Sequence, residues 1–197
     1  SLKYFQVHLL GGDSGSSNET VLTTTIIGES QSKPLTRLGV QAGDLVLAFG
    51  DFFCYGPQLS YDFLHTKGRS PTPEKLFRPQ PCWKAISKCR PYFKASIDSS
   101  DGLYNALDAL AEINSVRFKV NLTKIKLPKS VVTFQIKNNI PLEFFIECDL
   151  GDLQTCVAIS KKSYDRIKSK LPYHQIIAEA QSQISKKERI YYDNSAS

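Results

Sequence analysis

The sequence predicts an α/β protein in which a mixed β-sheet packs against helices. Of its 197 residues, 41% are hydrophobic, and short apolar runs typical of strands alternate with segments typical of helices. No series of uniform strand, helix, strand units runs along the chain, so a purely parallel sheet is not expected. A chain of this length can bury a sizeable core, and we expect one domain, or one domain with part of another.

Near the start, two strands are predicted on either side of a glycine-rich loop. Residues 7–10 and 21–27 are rich in apolar and β-branched residues. The loop opens on Gly11, Gly12, Asp13 and Ser14. Glycines allow a backbone to approach a phosphate, and Asp13 is a candidate ligand for a cation beside it. An ordinary hairpin uses the same residue types, so both interpretations stay open.

Residues 45–49 are predicted to form a strand between two turns, with a helical turn at residues 33–38 before it. Gly50 ends the strand. A helix is predicted at residues 57–65. Its apolar side is expected to contain Leu59, Phe63 and Leu64.

A second helix, which contains Trp83, is expected to follow a proline-rich turn and to stop before Pro91. Arg78 lies in that turn and is a candidate phosphate contact, although a surface arginine is the commoner case there. Cys82 and Cys89 are seven residues apart, so they share a helix face and are expected to pack rather than react.

The chain is organised around a turn of carboxylates and hydroxyls at residues 98–102. Residues 95–98 are typical of a short buried strand that leads into it. Apolar residues then recur at the spacing of a helix's buried face: Leu103, Ala106, Leu107, Leu110 and Ala111. The turn is therefore predicted to lie at a helix N-terminus.

Such a turn has two interpretations. First-turn amides and the helix dipole favour a phosphate, while Asp98 and Asp101 offer the oxygen ligands that Mg²⁺ takes beside phosphates. Alternatively, Ser100 or Asp101 is the N-cap of an ordinary helix, with Gly102 easing the turn. The residue types alone favour the cap slightly.

Beyond the central helix, strands are predicted at residues 116–121, 142–146 and 155–159, and a basic helix at residues 163–170. An acidic turn of residues 147–152 precedes the last of these strands. Two segments cannot be assigned to one type of secondary structure from their sequence: residues 130–137 and 176–190.

The net charge of +6 raises the question of nucleic-acid binding. No acid lies between Glu112 and Glu143, while six basic residues do. That interval lacks the arginine-rich helix or clustered aromatics of a nucleic-acid surface, so we expect no nucleic-acid partner. A solvated basic face, or more weakly a field that attracts a phosphorylated ligand, is expected instead.

Five cysteines match no zinc or redox spacing, and most are expected to be free, buried thiols: Cys54, Cys82, Cys89, Cys148 and Cys156. No window approaches eighteen apolar residues, and the first residues lack the order of a signal peptide. We therefore expect a cytoplasmic protein without a membrane-spanning segment.

Four phrases, taken in order, resemble the thiamine-monophosphate kinase family. They are Gly11-Gly12-Asp13-Ser14, Ala42-Gly43-Asp44-Leu45, Arg78-Pro79-Gln80-Pro81 and Ile97-Asp98-Ser99-Ser100-Asp101-Gly102-Leu103. The last is the most specific. The likeness covers residues 3–160, and more loosely extends to Asp193. The family belongs to the superfamily of aminoimidazole ribonucleotide synthase, selenophosphate synthase and the hydrogenase maturation dehydratase.

The resemblance implies a protein that binds ATP with Mg²⁺ and transfers the terminal phosphoryl group to thiamine monophosphate, which gives thiamine diphosphate. It assigns metal ligation to Asp13, Asp98 and Asp101, and gives the last two the catalytic role. The implied phosphate and nucleotide contacts are Gly11, Gly12, Asp13, Ser14, Ser100 and Gly102. Weaker substrate contacts are implied for Arg78, Asp149 and Asp152.

The resemblance also implies a domain organisation. Residues 1–50 would be the tail of an N-terminal ATP-binding domain, most of which would precede this chain, and residues 51–197 a C-terminal α/β domain. The family's dimers pair through their first domains, so we expect a homodimer or completion by another chain. Two family positions differ here: Cys82 replaces an arginine after the proline turn, and Leu150 replaces a glycine in the acidic turn.

The sequence leaves two other functions open. One is a non-catalytic binding or interaction protein that keeps the fold. The other is an ATP-using enzyme of the same superfamily with a different substrate. The true start of the open reading frame would distinguish the non-catalytic protein from the kinase. Substrate tests would distinguish the other ATP-using enzyme from the kinase.

Overall fold

The computed structural model describes residues 7–16, 18–29, 33–50, 55–65, 82, 86–184 and 188–193. By contacts between Cα atoms the chain divides into two units, Ser1–Pro34 and Leu35–Ser197. All helices and strands of the described residues lie in the second unit. The boundary of these units differs from the implied domain boundary at residue 50, which stays a prediction.

The second unit is built on a six-stranded mixed sheet. Its strands are β1 (Asp44–Phe49), β2 (Phe93–Asp98), β3 (Val116–Asn121), β4 (Thr155–Ser160), β5 (His174–Ser182) and β6 (Ile190–Asp193). The spatial order is β2-β4-β1-β5-β3-β6. Neighbours are antiparallel except β3 and β6, which are parallel. The predicted mixed sheet is therefore confirmed.

In the part of the chain that the structure describes, five α-helices accompany this sheet. They are α1 (Gly56–His65), α2 (Leu103–Asn114), α3 (Lys129–Asn138), α4 (Leu142–Glu147) and α5 (Lys161–Ile167). Short 3₁₀ helices cover Ser87–Tyr92, Leu122–Lys124 and Lys168–Lys170. Among the described residues, no helix is long and apolar enough to cross a lipid bilayer.

The sheet buries apolar residues on both faces. On one face, α2 packs on β3, β6 and β2 with the five residues that its spacing predicted, all of them buried. On the other face, Leu47 and Phe49 of β1 pack with Ile167 of α5 and with Cys89. Because both of its faces are covered, all six residues of β1 are buried.

The strands predicted at residues 7–10 and 21–27 are absent. Both segments lack helix and strand, and their large apolar residues are exposed, Leu10 by 87% and Leu22 by 90%. A strand needs a partner for its backbone hydrogen bonds, and no described residue pairs with either segment. The helical turn predicted at residues 33–38 is also absent.

Residues 142–146 are helical, so the strand predicted there is wrong. Pro141 occupies the N-cap position of α4, and Glu143 lies in its first turn. Phe145 and Ile146 are buried, while Phe144 packs partly against the same core. A segment of six residues, four of them apolar, is too short for periodicity to separate a strand from a helix, and the proline decides for the helix.

The helix predicted at residues 57–65 is confirmed as α1, but two of the three residues predicted for its apolar side are exposed, while Leu59 is half-buried. Phe63 and Leu64 are 65% and 70% exposed. The buried residues are Gly56, Pro57 and Gln58 at the start of the helix, and Asp62. The first turn of α1 and Tyr61, which packs against Phe134 and Phe144, therefore position this helix.

Three other segments differ from, or refine, the predicted elements. Residues 130–137, whose sequence suits either a helix or a strand, lie in α3. Residues 176–190 contain most of β5. The 3₁₀ helix Ser87–Tyr92 contains Pro91, so the predicted stop before that proline is wrong. Arg78, Trp83 and Cys54 lie outside the described residues.

Candidate functional site

The turn after β2 is tied to the start of β4 by a buried polar pair. The Ser99 backbone N donates to the Gln154 carbonyl oxygen at 3.0 Å, and the Gln154 backbone N donates to Ser99 Oγ at 3.1 Å. Ser99 Oγ also donates to Gln154 Oε1. Both residues are buried, at 1% and 6% exposure. Because buried polar groups are costly to leave unpaired, this pair fixes the position of the turn.

Two glycines bring the turn against the acidic loop of residues 147–152. A Cβ on Gly102, whose φ is +87°, would lie 1.9 Å from the Cys148 carbonyl oxygen. A Cβ on Gly151 would lie 1.6 Å from the Ser99 carbonyl oxygen. The Gly151 backbone N donates to the Ser100 carbonyl oxygen at 3.0 Å. The two loops therefore touch through their backbones, which only glycine permits here.

The two candidate metal ligands of the turn are exposed. Asp98 is the last residue of β2 and lies opposite Thr155, and Asp101 lies three residues on. Within the described ranges, neither carboxylate makes a hydrogen bond or an ion pair. The N-cap of α2 is Gly102, without a side-chain cap. The interpretation of Ser100 or Asp101 as the helix cap is therefore wrong.

Asn105 connects the turn with the acidic loop. Its Nδ2 donates to the Asp101 carbonyl oxygen at 2.7 Å and to Asp149 Oδ1 at 3.2 Å. The structure thus places the predicted residues Asp101 and Asp149 around one side chain. Sequence reasoning missed Asn105, whose position in the first turn of α2 was the available signal.

Asp152 has a structural role that the sequence did not predict. Its Oδ1 accepts hydrogen bonds from the backbone N of Tyr55 at 3.1 Å and of Gly56 at 2.7 Å. A Cβ on Gly56 would lie 2.7 Å from the carbonyl oxygens of Leu150 and Gly151. Asp152 therefore holds the N-terminus of α1 against the acidic loop.

We expect Asp152→Ala to lower the free energy of unfolding by about 1–2 kcal/mol, since two amides at the start of α1 lose their acceptor. Asp152→Asn keeps an oxygen acceptor without the charge and should cost roughly half as much. Urea denaturation followed by circular dichroism measures both. Equal stability of the wild type and both variants would contradict this role.

Asp98 also influences a buried thiol. Burial, and then the negative charge of Asp98, raise the pKa of Cys156 from 9.0 to about 12. The four described cysteines, Cys82, Cys89, Cys148 and Cys156, form no disulfide with one another. This agrees with the prediction of free thiols and indicates that Cys156 is inert in the folded protein.

The raised pKa gives a pH dependence of known sign. The fold favours the protonated thiol, so the contribution of Cys156 is complete below about pH 9 and is lost as the pH rises towards about 12. Between about pH 9.5 and 11, the free energy of unfolding should fall about 1.4 kcal/mol per pH unit more steeply in the wild type than in Cys156→Ala. Urea denaturation across this range measures the slopes, and parallel slopes would contradict the assignment.

The glycine loop lies in the first unit, Ser1–Pro34. Asp13 Oδ1 accepts a hydrogen bond from the Ser14 backbone N at 2.8 Å. A Cβ on Gly11 or Gly12 would meet no atom within 4 Å. The neighbours described here therefore leave room for side chains at both glycines, and any requirement for glycine would have to come from a ligand.

The donor chemistry of the turn fits Mg²⁺ held together with a phosphate. In the described part of the chain, no three histidine, cysteine or acidic side chains form a group that could hold a metal. Mg²⁺ is commonly bound by one or two carboxylates, with waters and substrate phosphates completing its shell. Two exposed carboxylates at the end of β2 fit this mode and do not form an all-protein cage.

No family model matches the chain. A curated relative, the thiamine-monophosphate kinase of Nitrosopumilus maritimus, is 31% identical over 121 residues, which are 59% of this chain and 39% of that protein. Four further matches carry the same name and are 27–29% identical. The chain spans between 39% and 53% of the length of these relatives.

Solved structures give the same fold. A complex of AaThiL with AMPPCP and TMP has a TM-score of 0.63 at 20% identity and is matched over 83% of this chain and 52% of that chain. The hydrogenase maturation protein HypE has a TM-score of 0.57 at 11% identity, over 82% of this chain and 52% of that chain. Identities this low establish the fold alone. The predicted likeness to the aminoimidazole ribonucleotide synthase-like fold is confirmed.

Proposed function

We propose that this chain, which is related to the thiamine-monophosphate kinase family in sequence and in fold, takes part in phosphoryl transfer from ATP to thiamine monophosphate, with Mg²⁺ as cofactor. The curated relatives are named for that reaction. One structural neighbour was solved with AMPPCP and TMP. Because the chain spans about half of these proteins, the proposed activity belongs to the whole protein, as a homodimer or completed by another chain.

The observation that carries the proposal is the turn between β2 and α2. Asp98 and Asp101 are exposed there and have no partner among the described residues. They stand at the start of a 12-residue helix, whose first amides have no intrahelical acceptor. Carboxylates repel a phosphate unless a cation lies between them, and the helix end favours an anion. The turn therefore offers both halves of a phosphate and Mg²⁺ site.

Each residue has a part in this proposal. Asp98 and Asp101 hold Mg²⁺, which neutralises the charge of the transferring phosphoryl group when it is bound. Ser100 and Gly102 shape the turn, and Asp149 lies beside it through Asn105. Phosphoryl transfer asks the protein mainly for positioning and charge neutralisation, so no covalent nucleophile is needed.

The remaining proposed contacts are independent of this turn. Gly11, Gly12, Asp13 and Ser14 are proposed to contact nucleotide phosphates, with Asp13 as a further metal ligand. Arg78 is proposed as a substrate contact. For Asp152 the hydrogen bonds to α1 support a structural role, and any contact with substrate would be additional.

Calorimetric titration of the chain with AMPPCP and with thiamine monophosphate, each with and without Mg²⁺, tests the proposal. We expect binding that requires Mg²⁺, since the carboxylates bind phosphate only through the cation. Absence of binding at millimolar ligand would contradict the proposal for this chain and favour a non-catalytic protein. If AMPPCP binds in the presence of Mg²⁺ but thiamine monophosphate does not bind, the chain would belong to another ATP-using enzyme of the superfamily.

A further inference from the structure

In the second unit, one face of the sheet is covered unevenly. On the face that carries Leu47 and Phe49, the described cover from α5 and Cys89 packs over β2, β4 and β1. Farther along, beside β5 and β3, a cavity of about 730 Å³ opens instead. This volume lies within the range of small-molecule sites, roughly 300–1,000 Å³. Its lining includes no residue of the turn at 98–102 or of the acidic loop.

The apolar part of the cavity is formed by Tyr164, Tyr173, Ile176 and Leu45. Tyr173 is 63% exposed and Ile176 is 37% exposed, which is a large exposure for a residue inside a central strand. Aromatic rings beside an exposed aliphatic side chain offer a flat surface on which a planar ring can stack. The cavity therefore has an apolar side suited to a ring.

His174 fixes one of these rings in place. The Pro172 carbonyl can only accept, so His174 Nδ1, 2.7 Å away, must donate to it. In the neutral ring Nε2 then accepts from the Tyr164 hydroxyl at 3.1 Å. The His174 ring also lies 5.6 Å from the Phe49 ring. Tyr164 is thereby held at the cavity wall before any ligand arrives, which lowers the cost of binding.

The charged part of the lining carries unpaired positive charge. Lys119 pairs with Asp193 at 2.5 Å, and this contact raises the pKa of Lys119. Glu179 pairs with Lys161, which lies outside the lining, at 2.6 Å. Both acids of the lining are therefore already matched by lysines.

Lys124 and Lys126 line the same cavity, and neither makes an ion pair with the residues that the structure describes. The backbone at Lys126 is held by Gln175, which is only 8% exposed. Gln175 Oε1 accepts a hydrogen bond from the Lys126 backbone N at 2.7 Å, and Gln175 Nε2 donates one to the Lys126 carbonyl oxygen at 2.8 Å. Two lysines thus stand beside the apolar wall with their charges available to a ligand.

We propose that this cavity binds a small organic anion that carries a planar ring. The ring packs against Tyr164, Tyr173 and Ile176, and the acidic group lies at Lys124 and Lys126. A cation would be repelled by the two lysines, and a neutral ring would make no use of them. The site is additional to the proposed kinase site.

The test uses 8-anilinonaphthalene-1-sulfonate, an aromatic sulfonate, and the uncharged N-phenyl-1-naphthylamine, each titrated into the full chain by fluorescence. We expect one sulfonate to bind per chain, and the uncharged compound to bind about tenfold more weakly. The double variant Lys124→Gln, Lys126→Gln should weaken the sulfonate by about tenfold or more. The control is Lys137→Gln, Lys162→Gln, which removes two exposed lysines outside the cavity and should leave affinity unchanged.

Ile176→Asp places a carboxylate on the apolar wall and should abolish sulfonate binding, while circular dichroism checks that the fold is kept. Asp101→Asn should leave the sulfonate's affinity unchanged, which separates this site from the kinase site. Equal binding of the charged and uncharged compounds would overturn the proposal. So would an equal loss in the control variant, unaltered binding in Ile176→Asp, or no binding at millimolar sulfonate.

Discussion

Asp101→Asn is expected to weaken Mg²⁺-dependent binding of AMPPCP by about 100-fold or more, because a direct ligand contributes more than the outer partners of a metal site, whose loss costs roughly 10–100-fold. The melting temperature should change by no more than about 2 °C, since Asp101 is exposed and does not cap α2. Calorimetric titration and thermal denaturation measure the two quantities on the same sample.

The matched control is Asp165→Asn, which removes an exposed carboxylate that pairs with Lys168 at the surface. This variant should bind AMPPCP with unchanged affinity. Asp98→Asn should behave as Asp101→Asn does, because both carboxylates are proposed to hold the same cation. A large fall in melting temperature with unchanged Mg²⁺-dependent affinity would assign Asp101 a purely structural role and contradict the proposed site.

Gly151→Ala is expected to lower the free energy of unfolding by about 2–4 kcal/mol and the melting temperature by roughly 5–15 °C. The new Cβ would lie 1.6 Å from the Ser99 carbonyl oxygen and 2.9 Å from the Gly102 backbone N. Both atoms belong to backbone, so no side-chain rotation relieves the overlap. The acidic loop must therefore move away from the turn and carry Asp149 and Asp152 with it.

Gly15→Ala serves as the control, because a Cβ at Gly15 would meet no atom within 4 Å. Its melting temperature should stay within about 2 °C of the wild type. Gly151→Ala should also reduce the protection of the Gly151 amide in hydrogen exchange, since its bond to the Ser100 carbonyl oxygen would break. Equal melting temperatures of the two variants would show that the loops are not packed as closely as the structure indicates.

The helix α2 shows what local sequence is able to predict. Its buried face follows from the three- and four-residue spacing of its apolar side chains, and the structure buries all five predicted positions. The strand before it and the turn between them follow from the same pattern. The strand predicted at residues 116–121 has the observed bounds. Its apolar and polar residues alternate along the sequence, and the structure buries the apolar ones.

Other segments needed information that lies far away in the chain. Residues 142–146 contain apolar and aromatic residues that suit a strand, but they pack as α4 behind Pro141. Phe63 and Leu64 suggested the buried side of α1, whereas Asp152, nearly a hundred residues later, holds the opposite end of that helix in place. A periodic pattern contains no information about such a partner.

Local patterns predict the mixed sheet with helices, the position of the turn at residues 98–102 and the carboxylates it carries, because these depend on neighbours within a few residues. The folded chain was needed to show that Gly102 and Gly151 bring this turn against the acidic loop, that Asp152 binds the start of α1, and that Lys124 and Lys126 share a cavity with Tyr164. Contacts between distant segments depend on how the whole chain packs, which no local pattern specifies.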